Sequence, residues 1–204
     1  MLRDQVREYL QQEMIERNIS FGERLSLAEI ARKIDVSVTP IREALTQLEQ
    51  VGIVKKITNR GFFVPSLSDE EAKDIYPIIS NLEAMAVRAS VFTDEQVNRL
   101  KTTQEAFENA TTNELAVKAD LEFHKTLIEG YKNNIASRIL RDLKFRVFFY
   151  ELEFMNHADE KEQSFVYHRQ IIEQVSLKNT DRVAKLLEEN WLTSLALIKE
   201  LEKS

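Results

Sequence analysis

Residues 26–64 show the arrangement that most restricts the fold of this chain: two short helical patterns, a tight turn between them, and then a hairpin pattern. Ser26 and Glu29 have the spacing of a capping box, which predicts a short helix after Ser26. A second helix is predicted over about 38–50, because Pro40 suits a first turn whose amides have no intrahelical partner. This succession is typical of a helix-turn-helix.

The flanking sequence completes a small domain. Apolar residues at helical spacing predict a further helix within residues 1–18. The runs 53–57 and 62–64 flank the polar segment Thr58-Asn-Arg-Gly61, which has the composition of a β-hairpin with a polar tip. Three helices and a hairpin predict a winged helix-turn-helix domain over residues 1–66.

After Pro65 the sequence shows long helical patterns without strand signals. The patterns Ser68–Glu71 and Thr93–Gln96 are two more capping boxes. Pro77 is expected to interrupt and kink the first of these helices, because proline lacks a backbone donor. Six helices are predicted, near 69–91, 94–109, 113–131, 134–155, 160–178 and 181–202. We therefore expect a mainly α protein whose second domain, residues 67–204, is an all-helical bundle.

Charge differs between the two parts of the chain. The formal net charge is −6, but residues 1–66 carry 10 Lys and Arg against 9 Asp and Glu. Only this first segment is therefore suited to a phosphate backbone. The chain has no cysteine, so a metal would need His, Asp, Glu, Asn or backbone oxygen ligands. The charged N-terminus and the absence of a long apolar run predict a cytoplasmic protein without membrane contact.

The first residues of the second helix in a helix-turn-helix reach base edges in the major groove. Here the candidates are Ser37, Thr39 and Arg42, and Arg42 can pair with guanine or bind a phosphate. At the hairpin tip, Arg60 and Gly61 are candidates for the adjacent minor groove, which favours a guanidinium. The alternative is that the two hydroxyls only cap the helix and that Arg42 is an ordinary surface charge.

The run from Leu25 to Val54, together with Arg60-Gly61-Phe-Phe-Val64, closely resembles the DNA-binding domain of the GntR family. The resemblance implies binding to double-stranded DNA. Val38 departs from it, because the family usually has an arginine between the serine and the Thr-Pro pair. The family implies that this arginine contacts bases, so we do not expect the operator of this protein to match those of its relatives.

Polar residues on apolar helix faces are the informative ones in the second domain, since burying them without partners is costly. Asp120 and His124 stand one turn apart on such a face, and His168 and Asn190 occupy similar positions on two later helices. A carboxylate, two imidazoles and an amide oxygen that converge inside a bundle predict a site for a first-row divalent metal. The alternative is four separate core residues with ordinary hydrogen-bond partners.

The segment Asp120-Leu-Glu-Phe-His124, with Asn133 after it, and the segment Tyr167–Ile172 resemble motifs of the FCD sensor domain of the FadR subfamily. The resemblance implies that Asp120, His124 and His168 are metal ligands, for Zn, Ni or Mn. The family's last ligand is a histidine expected 22 residues after His168, where this chain has Asn190. We expect this change to keep an oxygen ligand and to weaken the site.

Family resemblance also makes a small organic acid the expected effector. Relatives often carry an arginine four residues before the glutamate of the first sensor helix, but this chain has Ile79 before Glu83. Its ligand is therefore expected to be less anionic. Arg146 is the candidate effector-binding residue, and the alternative is an exposed arginine without that role.

Together these patterns predict a homodimeric DNA-binding regulator, not an enzyme, on a palindromic operator. The effector changes operator affinity by binding the DNA-competent and incompetent dimers unequally. One alternative is a metal-free sensor of a larger apolar ligand such as acyl-CoA. Another is a metal-dependent hydrolase, for which no general base is evident near His124 or His168.

Overall fold

The computed structural model describes residues 1–154 and 158–201, and it gives only the backbone of residues 153–154, 158–161 and 197–201. The chain divides into two compact units, Met1–Leu67 and Ser68–Ser204.

The first unit confirms the predicted winged helix-turn-helix. Its elements are α1 (Leu2–Ile15), α2 (Leu27–Ile34), α3 (Val38–Glu49), β1 (Lys55–Ile57) and β2 (Gly61–Phe63). The hydroxyl of Ser26 accepts a hydrogen bond from the Glu29 amide at 3.3 Å, which begins α2 as predicted. Asp35 ends α2 in the left-handed region, with φ 57°, and turns the chain into α3.

The core of this unit lies between α1 and α3. Val6 and Leu10 of α1 are buried, as are Ile41, Leu45 and Leu48 of α3. Each of these side chains contributes about 1.5–3 kcal/mol by leaving water. This apolar contact turns the opposite face of α3 toward solvent.

The hairpin, which we call the wing, pairs β1 with β2 in antiparallel register, with Lys55 opposite Phe63 and Ile57 opposite Gly61. The segment before α2 adds to its edge through an isolated bridge between Arg24 and Phe63. The amide of Leu25 also donates to the Phe62 carbonyl at 2.8 Å. The wing is therefore held to the body of the domain by backbone hydrogen bonds.

The second unit is helical throughout the elements that the structure describes. They are α4 (Asp69–Arg88), α5 (Asp94–Glu108), α6 (Asn113–Ile128), α7 (Asn134–Phe154), α8 (Ala158–Ser176) and α9 (Thr180–Leu201). Helix α4 packs on α7 and α9, and α5 packs on α6 and α8. Within the described ranges, no helix is both long and apolar enough to cross a bilayer.

Two details of α4 differ from expectation. The helix continues through Pro77, so the predicted interruption is wrong: the proline removes one backbone donor, but the turns on either side stay helical. The Ser68 hydroxyl accepts from the Glu71 amide at 3.2 Å as a capping box requires. The other half of the box is replaced, because the Ser68 amide donates to the Tyr150 hydroxyl at 2.9 Å.

Candidate functional site

The first turn of α3 presents polar side chains to solvent. Ser37, Thr39 and Arg42 are all exposed. Ser37 occupies the N-cap position, but its hydroxyl makes no capping hydrogen bond to the described backbone. The hydroxyl of Ser37 is therefore available to a ligand, and the three predicted contact residues lie on a surface that a duplex can reach.

Arg42 and the wing border the same groove. This groove has a volume of about 630 Å³, and Arg42, Arg60 and Gly61 are among its lining residues. The guanidinium of Arg60 lies over the Phe63 ring, 5.7 Å from its centroid. The structure thus brings together the helix residue Arg42 and the wing residues that the sequence analysis assigned to different DNA grooves.

In the second unit, α6 and α8 bring together Asp120, His124 and His168. One potential ligand atom from each residue lies within 4.8 Å of the other two. All three side chains are buried, and Asn190 from α9 is buried with them. The Nδ2 atom of Asn190 is 3.5 Å from Nε2 of His124. The four residues predicted from the sequence are therefore neighbours in the core of the bundle.

Hydrogen bonds fix how both imidazoles face this cluster. Nδ1 of His124 is 2.8 Å from a carboxylate oxygen of Glu83, which can only accept, so Nδ1 carries the proton. Nδ1 of His168 is 2.8 Å from Oε1 of Gln104, whose amide is oriented by donating to Glu108 at 2.7 Å. With Nδ1 hydrogen-bonded in this way, Nε2 of each ring faces the cluster, and in a neutral ring this nitrogen carries the lone pair that binds a metal.

Burial determines the charge state of this cluster. Burial lowers the pKa of His168 well below its ordinary 6.5, and His124 lowers it further, so His168 is neutral. Burial also raises the pKa of Asp120 to about 6, although His124 and Lys144 oppose that shift. A carboxylate whose burial is only partly compensated lies beside the Nε2 atoms of two imidazoles, and these are atoms that bind a divalent cation.

Two buried atoms test whether a metal fits. Nε2 of His168 and Oδ1 of Asn190 have no hydrogen-bond partner among the described residues. Leaving buried polar atoms unpaired costs free energy, so such atoms call for an explanation. A set of two imidazole nitrogens and a carboxylate oxygen suits a first-row divalent ion. The two amide atoms of Asn190 are interchangeable by rotation, which can turn Oδ1 toward His124. The residues present therefore fit a divalent metal.

Arg146, the candidate effector residue, is 2% exposed. Its Nε donates to the Glu71 carboxylate at 3.0 Å, and its Nη2 forms an ion pair with the same group. The alternative of an exposed arginine is therefore wrong. The assignment of Arg146 to effector binding stays a prediction, and an incoming carboxylate would have to displace Glu71.

Sequence reasoning missed the residues that orient the imidazoles, Glu83 and Gln104. A signal for both exists, because Glu83 lies on the stripe of α4 that also buries Tyr76, and Gln104 lies between the buried residues of α5. Lys144, whose ammonium pairs with Glu83, gave no such signal. A lysine in a helical pattern is ordinarily exposed.

A winged helix with exposed polar residues on α3, followed by a helical unit with a buried cluster of polar residues, defines a class: DNA-binding regulators with a helical second domain. Comparison with known families assigns the chain within this class. Residues 74–191 match the FCD domain, and residues 2–64 match the bacterial regulatory proteins of the gntR family. The chain belongs to the GntR family of transcriptional regulators, with an FCD domain.

Individual relatives agree with this assignment. The uncharacterized HTH-type transcriptional regulator YdhC of Bacillus subtilis is 28% identical over 166 residues, which are 78% of this chain and 74% of that protein. The Nta operon transcriptional regulator of Aminobacter aminovorans is 32% identical over 133 residues, 63% of each chain. The families and relatives that match are transcriptional regulators, not enzymes.

Solved structures share the fold. Escherichia coli McbR/YncC superposes with a TM-score of 0.82 at 20% identity, covering 99% of both chains. A putative GntR regulator from Rhodococcus sp. RHA1 gives a TM-score of 0.78 at 21% identity, covering 97% of both. These likenesses support the two-unit architecture.

Proposed function

We propose that this protein is a homodimeric regulator whose affinity for a palindromic operator is set by a divalent metal and a small effector in the FCD domain. The observation that carries the proposal is the buried cluster of Asp120, His124 and His168, in which Nε2 of both imidazoles faces inward. A cation would pair with the buried Nε2 of His168, which has no hydrogen-bond partner among the described residues.

The sensor residues have separable tasks in this proposal. Asp120, His124 and His168 hold the metal, with Asn190 as a weaker fourth ligand through its oxygen. Glu83 and Gln104 keep the two rings in position. A bound divalent ion supplies a fixed positive charge with open positions for a small organic acid. Arg146 is a second candidate for the effector's carboxylate.

On the DNA side, Ser37, Thr39 and Arg42 are proposed to contact the major groove, and Arg60 with Gly61 the adjacent minor groove. Ser37, Thr39, Arg42 and Arg60 are exposed, and Arg42 lines one groove together with Arg60 and Gly61, which supports this assignment. Because one recognition helix covers few base pairs, a second copy on a two-fold axis is needed for specific binding. Ile78 and Met85, seven residues apart on α4, are 47% and 42% exposed and offer an apolar face to such a copy.

A thermal-shift screen of divalent ions tests the metal. Wild-type protein freed of metal by a chelator is expected to gain stability with at least one of Zn²⁺, Ni²⁺ and Mn²⁺, because ions that bind only the folded state stabilise it. The gain should disappear in His168→Ala and persist in Glu173→Ala, which changes an exposed residue of the same helix. Unfolding curves in chelator establish that His168→Ala is folded. No response of the wild type to any divalent ion would contradict the metal proposal and favour a metal-free sensor.

A further inference from the structure

The groove between α3 and the wing contains two cations with no role so far, Arg24 and Lys56. They line it together with Arg42 and Arg60, and no carboxylate is among its lining residues. Among the residues that the structure describes, none of these four side chains forms an ion pair. Four like charges around one groove repel one another unless an anion lies between them.

Two features allow the Arg24 side chain to reach the groove: the position of its backbone and the lack of a side chain at Gly61. The bridge to Phe63 fixes the Arg24 backbone at the edge of the wing. Its guanidinium then lies across Gly61, where an added Cβ would be 3.4 Å from Nε and 3.8 Å from Nη2 of Arg24. Gly61 also has a φ of +99°, which side-chain-bearing residues rarely adopt. The glycine therefore gives Arg24 its path into the groove.

Lys56 approaches from the other strand of the wing. Its ammonium lies over the Phe62 ring, 5.9 Å from the centroid, and Phe62 itself is buried. Lys56 on β1 and Arg24 on the bridged segment before α2 are thus both held by backbone pairing to β2, and Arg42 lines the same groove from α3. Since residues 1–66 have almost no net charge, the positive potential of this groove comes from where these cations are placed.

We propose that this groove holds the DNA backbone between recognition helix and wing, with Arg24 and Lys56 as phosphate-binding residues. The inference rests on the proposed reading of DNA by α3. A contact with phosphate positions a protein on a duplex but does not distinguish one base sequence from another. Arg24 and Lys56 should therefore contribute equally to the affinity for every DNA sequence. Arg42, which lies near the start of α3, is the residue of this groove that adds a preference for particular bases.

The test compares two 30-base-pair duplexes, one selected from a random library by the wild-type protein and one of mixed sequence. Affinity is measured by fluorescence anisotropy between about 50 and about 200 mM salt. Arg24→Ala is expected to weaken binding to both duplexes by a similar factor and to reduce the slope of log affinity against log salt by about 0.9. Lys56→Ala should lower the affinity and the slope in the same way as Arg24→Ala. Arg24→Lys should keep the wild-type slope, because the positive charge remains.

Arg32→Ala is the matched control, because Arg32 is an exposed α2 residue outside the groove, on the side of Tyr9. Its slope should equal that of the wild type, whereas Arg42→Ala should lose the preference for the selected duplex. An unchanged slope in Arg24→Ala, or a loss confined to the selected duplex, overturns the inference. A wild-type protein that binds neither duplex overturns the proposed function as well, so the two failures are distinguishable.

Discussion

Glu83 fixes the orientation of His124 in the buried cluster of Asp120, His124 and His168. One of its oxygens accepts from Nδ1 of His124 at 2.8 Å and from the indole nitrogen of Trp191 at 2.7 Å, and the other pairs with Lys144. Burial alone would raise the pKa of Glu83, but Lys144 and His124 outweigh it and lower the pKa to about 2. Glu83 is therefore an ionised carboxylate that orients the His124 ring.

Substitution of this carboxylate should weaken the site without removing a ligand. Glu83→Gln is expected to lower metal affinity by about 10–100-fold, since a partner that orients a ligating histidine typically contributes that much. Competition against a chromophoric chelator measures the affinity. Glu188→Gln changes an α9 carboxylate that pairs with the exposed Arg88, and it serves as the control.

Because Glu83→Gln leaves the Lys144 ammonium without its partner, the double variant Glu83→Gln/Lys144→Met separates misfolding from lost orientation. The double variant should fold and still bind metal weakly. Wild-type metal affinity in either variant would show that Glu83 does not position His124.

Glu151 is a second buried acid, and its proton should make stability depend on pH. The Tyr76 hydroxyl donates to it at 2.6 Å. Burial, and next the charge of Asp120, raise its pKa from 4.5 to about 8. Between these values the unfolded chain releases the proton and the folded protein keeps it. The free energy of unfolding therefore falls as pH rises through this window, by up to about 5 kcal/mol.

Glu151→Gln should remove most of this decline, because the amide stays neutral and can still accept from Tyr76. Urea unfolding of chelator-treated protein at pH 5 and pH 8 measures the free energy of unfolding. The variant is expected to match the stability of the wild type at pH 5 and to be more stable than the wild type at pH 8. An equal decline in both proteins would mean that Glu151 is ionised in the fold.

At the scale of elements, the start of α4 is held by α7. The Tyr150 hydroxyl accepts from the Ser68 amide and donates toward the Ser68 carbonyl and Glu71, at 2.7–2.9 Å. Tyr150→Phe should destabilise the second unit by about 0.5–1.5 kcal/mol, because the hydrogen bond between the Ser68 amide and the Tyr150 hydroxyl is lost. Denaturant unfolding measures the change. Tyr167→Phe on α8 is the control, and equal stability of both variants would refute this role.

Helix ends were predictable where their cause is local. Ser26, Ser68 and Thr93 each cap a helix through an amide three residues ahead, which the sequence displays directly. The Tyr150 contact joins residues 82 positions apart, and only packing brings them together. The residues of the buried cluster could be predicted because Asp120, His124 and His168 are each polar residues on an apolar helix face, whereas Lys144 shows no such signal and its pairing with Glu83 depends on packing.

At the scale of the whole molecule, the two units carry different charge and different tasks. The first is close to neutral overall but gathers cations around one groove, and the second carries the acidic excess together with a buried cluster that fits a cation. Regulation requires that occupancy of the second unit change the DNA affinity of the first. Couplings of this kind typically change affinity by about 5–150-fold.

The most direct test measures the affinity of the selected duplex for wild-type protein and for His168→Ala, each in chelator and with the divalent ion that stabilises the wild type. Wild-type affinity is expected to change at least about 5-fold between the two conditions, and His168→Ala should show the same affinity in both. Equal affinity of the wild type with and without the ion would contradict the claim that the buried cluster controls DNA binding.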